Sequence, residues 1–349
     1  MASTFQAPAL QPASRDDWIM PVAAWQVSLD GRDLTEAMRP RLVEMTLTEK
    51  RGDEADSLDI RLHDHDGELA LPPPEATLSV ALGWAKGTGV TAGLVDKGRY
   101  RVDELAWDGP PDMLAITARS ADLTAGLRNR RDFAWVDMAL SDVIAKIAQR
   151  NGLTPKTHQL LSSVRVPAGQ QNGKSDIAYI RELGRRYDAV ATVKDGTLIF
   201  SPIGVGSTAG GVTIPGLTIE KTMCSAYGYA RKKRDEHDGV EAQWQDQRGA
   251  KRQMVKVGGA ENPRRLKRVY ANESDARAAA EAAKRRDVRS AADYRLTLSY
   301  GDASLMPERP VTLSGFKTEI DGAKWQIAEV THRIGPGGFI TELLLDLGA

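Results

Sequence analysis

Short runs in which apolar and polar side chains alternate recur from Trp25 onward: WQVSLDG, LVEMTLTEK, SLDIRLHD, ATLSVALGW, GRYRVDELAW and MLAITARSAD. Each keeps a period of two for about five to eight residues and stops at Gly, Asp or Pro, as half-buried antiparallel strands do. They predict a first β-barrel domain over residues 23–125. Near Trp135 the period becomes helical. MALSDVIAKIAQRNG sets Leu140, Val143, Ile144 and Ile147 on one face, with Gly152 where the helix would end. A second helix is predicted from Ser175, whose hydroxyl can cap it, through Ile177, Ile180 and Leu183 to Tyr187. In AVATVKDGTLIFSP the pair Asp195-Gly196 separates two alternating runs, a hairpin signal because both turn positions favour positive φ. These elements make residues 126–203 a small α/β domain.

STAGGVTIPG reads as a linker into a second β-rich region over residues 204–349, with a helix inserted around residues 272–291. There ANESDARAAAEAAKRRDVRSA is rich in helix formers, acidic early and basic late, which suits the helix dipole. Residues 1–22, rich in Ala, Pro, Ser and Gln near their start, are expected to form a flexible arm.

The two β-rich regions carry the same features in the same order. SLDIRLHDHDGELALPPPEATLSVALGW followed by GRYRVDELAWDGPPDMLAITARS parallels DYRLTLSYGDASLMPERPVTLSGF followed by AKWQIAEVTHRIGPGGFITELLLDL. Both have an alternating strand, a turn ending in Leu-x-Pro, and a strand reaching Gly83 or Gly315. An aromatic-led strand with Glu104 or Glu329 follows, then Gly-Pro before a last strand. The predicted fold class is mainly β with α+β insertions: two related barrels in one chain and a small α/β middle domain.

Composition narrows the function. Lys plus Arg and Asp plus Glu both number 47 among 349 residues, so no global field draws the chain to nucleic acid or an anionic membrane. Cys224 is the one cysteine, which excludes an intramolecular disulfide; a small buried hydrophobe is expected there. The N-terminal stretch lacks a basic region followed by an apolar core, and no run approaches the roughly 20 apolar residues of a span. A soluble protein without membrane insertion is expected.

RLHDHDGEL resembles a metal site, but on a strand over Asp59–Leu62 His63 and His65 would face one way and Asp64 and Asp66 the other. As a calcium loop it would need oxygen ligands where Leu62 and Pro73 stand. His158, His237 and His332 lie elsewhere without zinc spacing. A turn at Asp66-Gly67 is the reading adopted. The glycine-rich stretch Gly204 to Gly211 lacks the Gly-Lys-Ser/Thr ending of a phosphate loop and reads as a linker. Asp103 and Glu104, adjacent on a strand, are not arranged as an acid/base pair. The basic clusters ARKKRDEHDG, NPRRLKRVYA and AKRRDVRS are diluted by Asp235, Glu236, Asp238, Asp275 and Glu281, and read as solvated faces and subunit contacts. No catalytic, cofactor-binding or metal-binding residue is assigned, and no enzymatic activity is expected.

From Trp25 to the C-terminus the sequence resembles the phage late control gene D protein family. The resemblance is carried by PRLVEMTLTEKRGDEADSLDIRLHDHDGELALPPPEATLSVALGW, GRYRVDELAWDGPPDMLAITARSADLTAGLRNRRDFAW, PERPVTLSGF and AKWQIAEVTHRIGPGGFITELLLDL. That family supplies the baseplate hub of contractile-tailed phages and related bacteriocins. The resemblance implies two tail-tube-like barrels per chain, and a homotrimer of pseudo-sixfold symmetry between the sixfold tail tube and the trimeric spike. It implies as partners the spike, the tube or a tube initiator, and other baseplate proteins, with residence in the virion or a tail-like particle after assembly in the host cytoplasm. The middle domain is LysM-like in outline, so the alternative is a tail protein that binds or cleaves peptidoglycan.

Overall fold

The computed structural model describes residues 18–52, 55–120, 125–194, 196–231, 237–246 and 249–348. Most of the expected N-terminal arm, Asp195 of the predicted turn, and residues 232–236 of the first basic cluster lie outside them. The fold is mainly β, 51% strand and 19% helix.

The first β-rich region comprises β1 (Val22–Leu29), β2 (Arg32–Asp33), helix α1 (Thr35–Met38), β3 (Leu42–Lys50), β4 (Ser57–His63), β5 (Thr77–Lys86), β6 (Gly93–Asp108) and β7 (Met113–Ser120). The middle region holds α2 (Ala125–Arg128), β8 (Arg130–Arg131), β9 (Ala134–Ala139), α3 (Leu140–Arg150), β10 (Thr154–Thr157), α4 (Gln159–Ser162), β11 (Arg165–Gln170), β12 (Lys174–Ser175), α5 (Asp176–Tyr187), β13 (Ala189–Lys194) and β14 (Thr197–Pro202). The last region runs through β15 (Leu217–Glu220), β16 (Cys224–Arg231), β17 (Gly239–Asp246), β18 (Lys251–Gly258), β19 (Pro263–Tyr270), α6 (Glu273–Arg289), β20 (Ala292–Leu298), β21 (Pro310–Ser314), α7 (Thr318–Asp321), β22 (Trp325–Gly335) and β23 (Gly338–Leu347).

The strand orders of the two outer regions correspond. One runs β3-β4-β7-β6-β5-β1, the other β16-β20-β23-β22-β21-β15. The bulges correspond as well. β3 and β16 each carry an extra residue near their start, between Leu42 and Glu44 and between Cys224 and Ala226. β6 and β22 carry theirs between Val102 and Glu104 and between Ile327 and Glu329. A bulge reverses which face later side chains occupy, so matching bulges keep matching faces on the core. One difference is that β1 is antiparallel to β5 whereas β15 is parallel to β21.

Two related barrels were expected; among the described residues the strands of both outer regions join in a single 13-stranded sheet that does not close into a barrel. The physical reason lies in strand length. β22 has 11 residues but meets β21 only at Trp325 and Gln326, so its remaining edge is free to pair with β3, from Glu329 opposite Lys50 to Ile334 opposite Met45. The cores meet across this seam, with Ile334 and Phe339 packing among Leu47, Leu58, Leu82 and Trp84.

A second core in the middle region is built by Leu127, Trp135, Ile144, Ile147, Ile180, Leu183, Leu198 and Phe200. The Ser175 hydroxyl accepts from the Ala178 amide at the start of α5, and the β13–β14 hairpin turns at Gly196 with φ 67°. Not signalled by the alternation of side chains, β17, β18 and β19 leave the main sheet to form their own three-stranded sheet. α6, capped by the Asn272 side chain accepting from the Asp275 amide, covers it through Ala276, Ala279, Ala280 and Ala283.

α6 is tied to the middle region by charge. Asp188, the left-handed C-cap of α5, is buried and accepts from Arg289, itself only 5% exposed, and from Arg285 at 3.2 Å. Asp188→Asn keeps a residue tolerant of that backbone but leaves the Arg289 guanidinium buried without its carboxylate. A loss of about 3 kcal/mol is expected by urea unfolding, partly recovered when Arg289→Met is added.

Candidate assembly interface

Among the strand edges without a partner in the described residues, two occupy corresponding places in the repeat, those of β16 and of the second half of β6. β16 pairs with β20 alone, and its residues from Ser225 to Arg231 are all exposed. Tyr227 and Tyr229 stand on the same face of the strand, at the rim of the last core. Tyr229 lies 6.2 Å from Tyr294 and 6.3 Å from Trp325, and Tyr227 meets Phe316 edge-on at 5.4 Å. Both rings remain about half exposed, at 44% and 51%.

The second open edge belongs to β6. Its first half pairs with β5 as far as Arg101 and its second half with β7, so from Asp103 to Asp108 the β5 side is vacant. Trp107 lies 54% exposed there, its indole N–H donating to the Asp64 carboxylate at 3.1 Å. A groove of about 670 Å³, lined among others by Pro74, Arg101, Glu104, Leu105 and Arg119, runs beside the strand. Open backbone edges bearing exposed aromatic side chains are the features that another chain would cover.

The histidine-aspartate stretch is a turn. Gly67 takes φ 69° and its amide donates to the Asp64 carbonyl. Buried Asp64 accepts from the Leu69 amide, and Asp66 forms a paired contact with the Arg41 guanidinium that holds its carboxyl well below the usual range. His63 and His65 point to solvent. Among the described residues no three His, Cys, Asp or Glu side chains gather as metal ligands.

In the glycine-rich stretch the Gly204 amide donates to the Glu308 carboxylate at 3.1 Å, and Ser207 bonds His158 at 3.1 Å. His237 meets the Asn262 carbonyl. Asp103 binds Arg119 and, with Glu104, is exposed at the bulge. The described arginines of the second and third basic clusters face carboxylates: Arg264 with Asp287, Arg265 with Glu241, Arg268 with Glu182, and Arg285, Arg286 and Arg289 with Asp188. Cys224, expected to be buried, is only half-buried at the rim of the last core, because the edge strand it begins has one neighbour.

The seam that aligns the two outer regions carries buried charge. Glu49 on β3 receives the Lys97 ammonium at 2.6 Å, and His332 on β22 points Nε2 at it from 3.5 Å while Nδ1 bonds the Thr341 hydroxyl at 2.9 Å. Burial alone would raise the Glu49 carboxyl, but His332 and Lys97 hold it down to about 2. Burial lowers His332 below its ordinary value, against the pull of Glu49. Just past the end of β3, Arg51 donates to Asp346 at 3.0 Å and to the Ile327 carbonyl at 3.3 Å, and pairs with Glu308.

The sequence profile of the family described as phage tail baseplate hub (GPD) matches residues 57–337. The chain is 33% identical to a probable baseplate hub protein of Escherichia phage 186 and 34% identical to that of Escherichia phage P2, covering 93% of this chain and 92% of each relative. A solved tail protein from Neisseria meningitidis MC58 shares its fold with a TM-score of 0.64 at 13% identity, over 93% of this chain and 96% of that one.

The seam yields two expectations. Lys97→Met leaves Glu49 buried with a neutral histidine, and about 3 kcal/mol of stability should be lost. Both folded pKa values lie below their unfolded ones, so the unfolded chain binds more protons and acid destabilises. The His332 contribution is whole above 6.5 and falls away below it, and that of Glu49 is lost from 4.5 toward about 2. The urea midpoint of the wild type should therefore drop more between pH 7 and pH 5 than that of His332→Gln.

Proposed function

The chain belongs to the phage tail baseplate hub family, and on that premise we propose that it works as a homotrimeric ring joining the sixfold tail tube to the trimeric spike. It is a baseplate hub protein, a structural component of a phage tail. The observation that carries the ring is the recurrence of one strand order, with the same bulges, twice in a single chain. Three chains with two such repeats each present six similar units around one axis, which lets a threefold object meet a sixfold one.

In this reading residues 23–125 and 204–349 each supply a tail-tube-like barrel module that becomes continuous only in the ring. Residues 126–203 act as a spacer toward neighbouring baseplate proteins. The partners are the spike, the tube or its initiator, and other baseplate proteins, met in the host cytoplasm before the particle is complete. The mechanism is geometric: the vacant edges of β6 and β16 are covered by neighbours, leaving an axial channel.

Light scattering coupled to size exclusion is expected to give the mass of three chains, and negative-stain images a ring with a pseudo-sixfold outline. A stable monomer at micromolar concentration counts against the ring, since obligate interfaces of this kind are large and apolar.

A further inference from the structure

We propose that β16 of one chain pairs antiparallel with the Asp103–Asp108 segment of β6 in the next chain, in the register that β3 and β22 already use within a chain. The inference rests on the ring reading above and adds its residue-level contact. β16 is the counterpart of β3, and β6 of β22, by strand order and by bulge. Within the chain β3 and β22 are paired; the same two positions in the other repeat are the two vacant edges. The two edges are different surfaces, so their union is head-to-tail, and a repeated head-to-tail contact closes into a ring when its rotation allows.

The bulges fix the equivalences residue by residue. The β3–β4 pairs Leu42 with Leu62 and Leu47 with Leu58 correspond to the β16–β20 pairs Cys224 with Leu298 and Tyr229 with Tyr294. On the other side, His332 opposite Thr341 corresponds to Trp107 opposite Leu114. Carrying the internal pairs Val330 with Glu49, Thr331 with Thr48, His332 with Leu47 and Ile334 with Met45 across the repeat gives the contact between chains. Leu105 faces Arg231, Ala106 faces Ala230, Trp107 faces Tyr229, and Gly109 faces Tyr227.

The side chains suit that register. Met45 and Leu47 are 1% and 0% exposed, whereas their counterparts Tyr227 and Tyr229 are half exposed; His332 is 0% exposed and its counterpart Trp107 54%. Positions that are core inside the chain are therefore large exposed aromatics at its two ends, and the register puts Trp107 against Tyr229. The groove along β6 is the space the incoming strand would fill.

The internal seam supplies a cross-linking site. Thr48 and Thr331 bring their hydroxyls to 3.5 Å, and their counterparts across the proposed contact are Ala230 and Ala106. Opposed residues at such spacing accept a disulfide. In a Cys224→Ser background, Ala106→Cys with Ala230→Cys is expected to convert, on mild oxidation, to covalent multimers on non-reducing gels. Neither single variant should do so, and reduced samples should melt as the parent does. Ala106→Cys with Gly228→Cys is two residues out of register; a side chain at Gly228 meets nothing within 4 Å, and this pair should remain monomeric on the gel. If the parent is multimeric by light scattering but the in-register pair fails to cross-link, or links no better than the shifted pair, this contact is overturned while the ring reading stands. A monomeric parent overturns both.

Discussion

The pairing of β3 with β22 is the contact on which the architecture depends. It turns two similar groups of strands into one sheet and fixes their relative position, because a slip of one residue would place Met45 and Leu47 on the wrong face. The buried charges reinforce it. Lys97, Glu49 and His332 meet across three strands, and Arg51 reaches Glu308, Asp346 and the Ile327 carbonyl. Such groups contribute little stability over well-packed apolar residues, but each is satisfied in one register only, so they select the alignment more than they strengthen it.

The remaining parts hang from this frame through their own cores. The middle region and the small β17–β19 sheet do not extend the main sheet; α6 lies between them, apolar toward the small sheet and held to α5 by Asp188 and its arginines. The arginines of the second and third basic clusters are likewise held in ion pairs. For the described arginines of the second and third clusters, a carboxylate occupies the place a phosphate would take.

A hub works by shape, and the shape is set by how one repeat follows another. Within the chain the repeat-to-repeat contact is made once, between β3 and β22, and in the proposed ring the same contact recurs between chains. The vacant edges of β6 and β16, with Trp107, Tyr227 and Tyr229 exposed upon them, are what remains when that contact is made only once.

The sequence alone determined the local elements and the repeat, because both are written in nearest-neighbour terms. Alternation marks the strands, Ser175 and Asn272 mark helix starts with their side-chain caps, and Gly196 marks a turn with positive φ. The resemblance to a phage hub family rests on the quoted segments themselves, and the repeat agrees with it without naming it. The tertiary structure decided what depends on partners distant in the chain. That the outer regions share one sheet follows from the surplus length of β22, that Glu49 and His332 meet follows from residues 283 positions apart, and that β17 to β19 form their own sheet follows from the cover α6 provides. Alternation states which face a strand buries, but not which edge it shares. Edge pairing is set by backbone hydrogen bonds common to every residue, so the side-chain sequence encodes it only weakly.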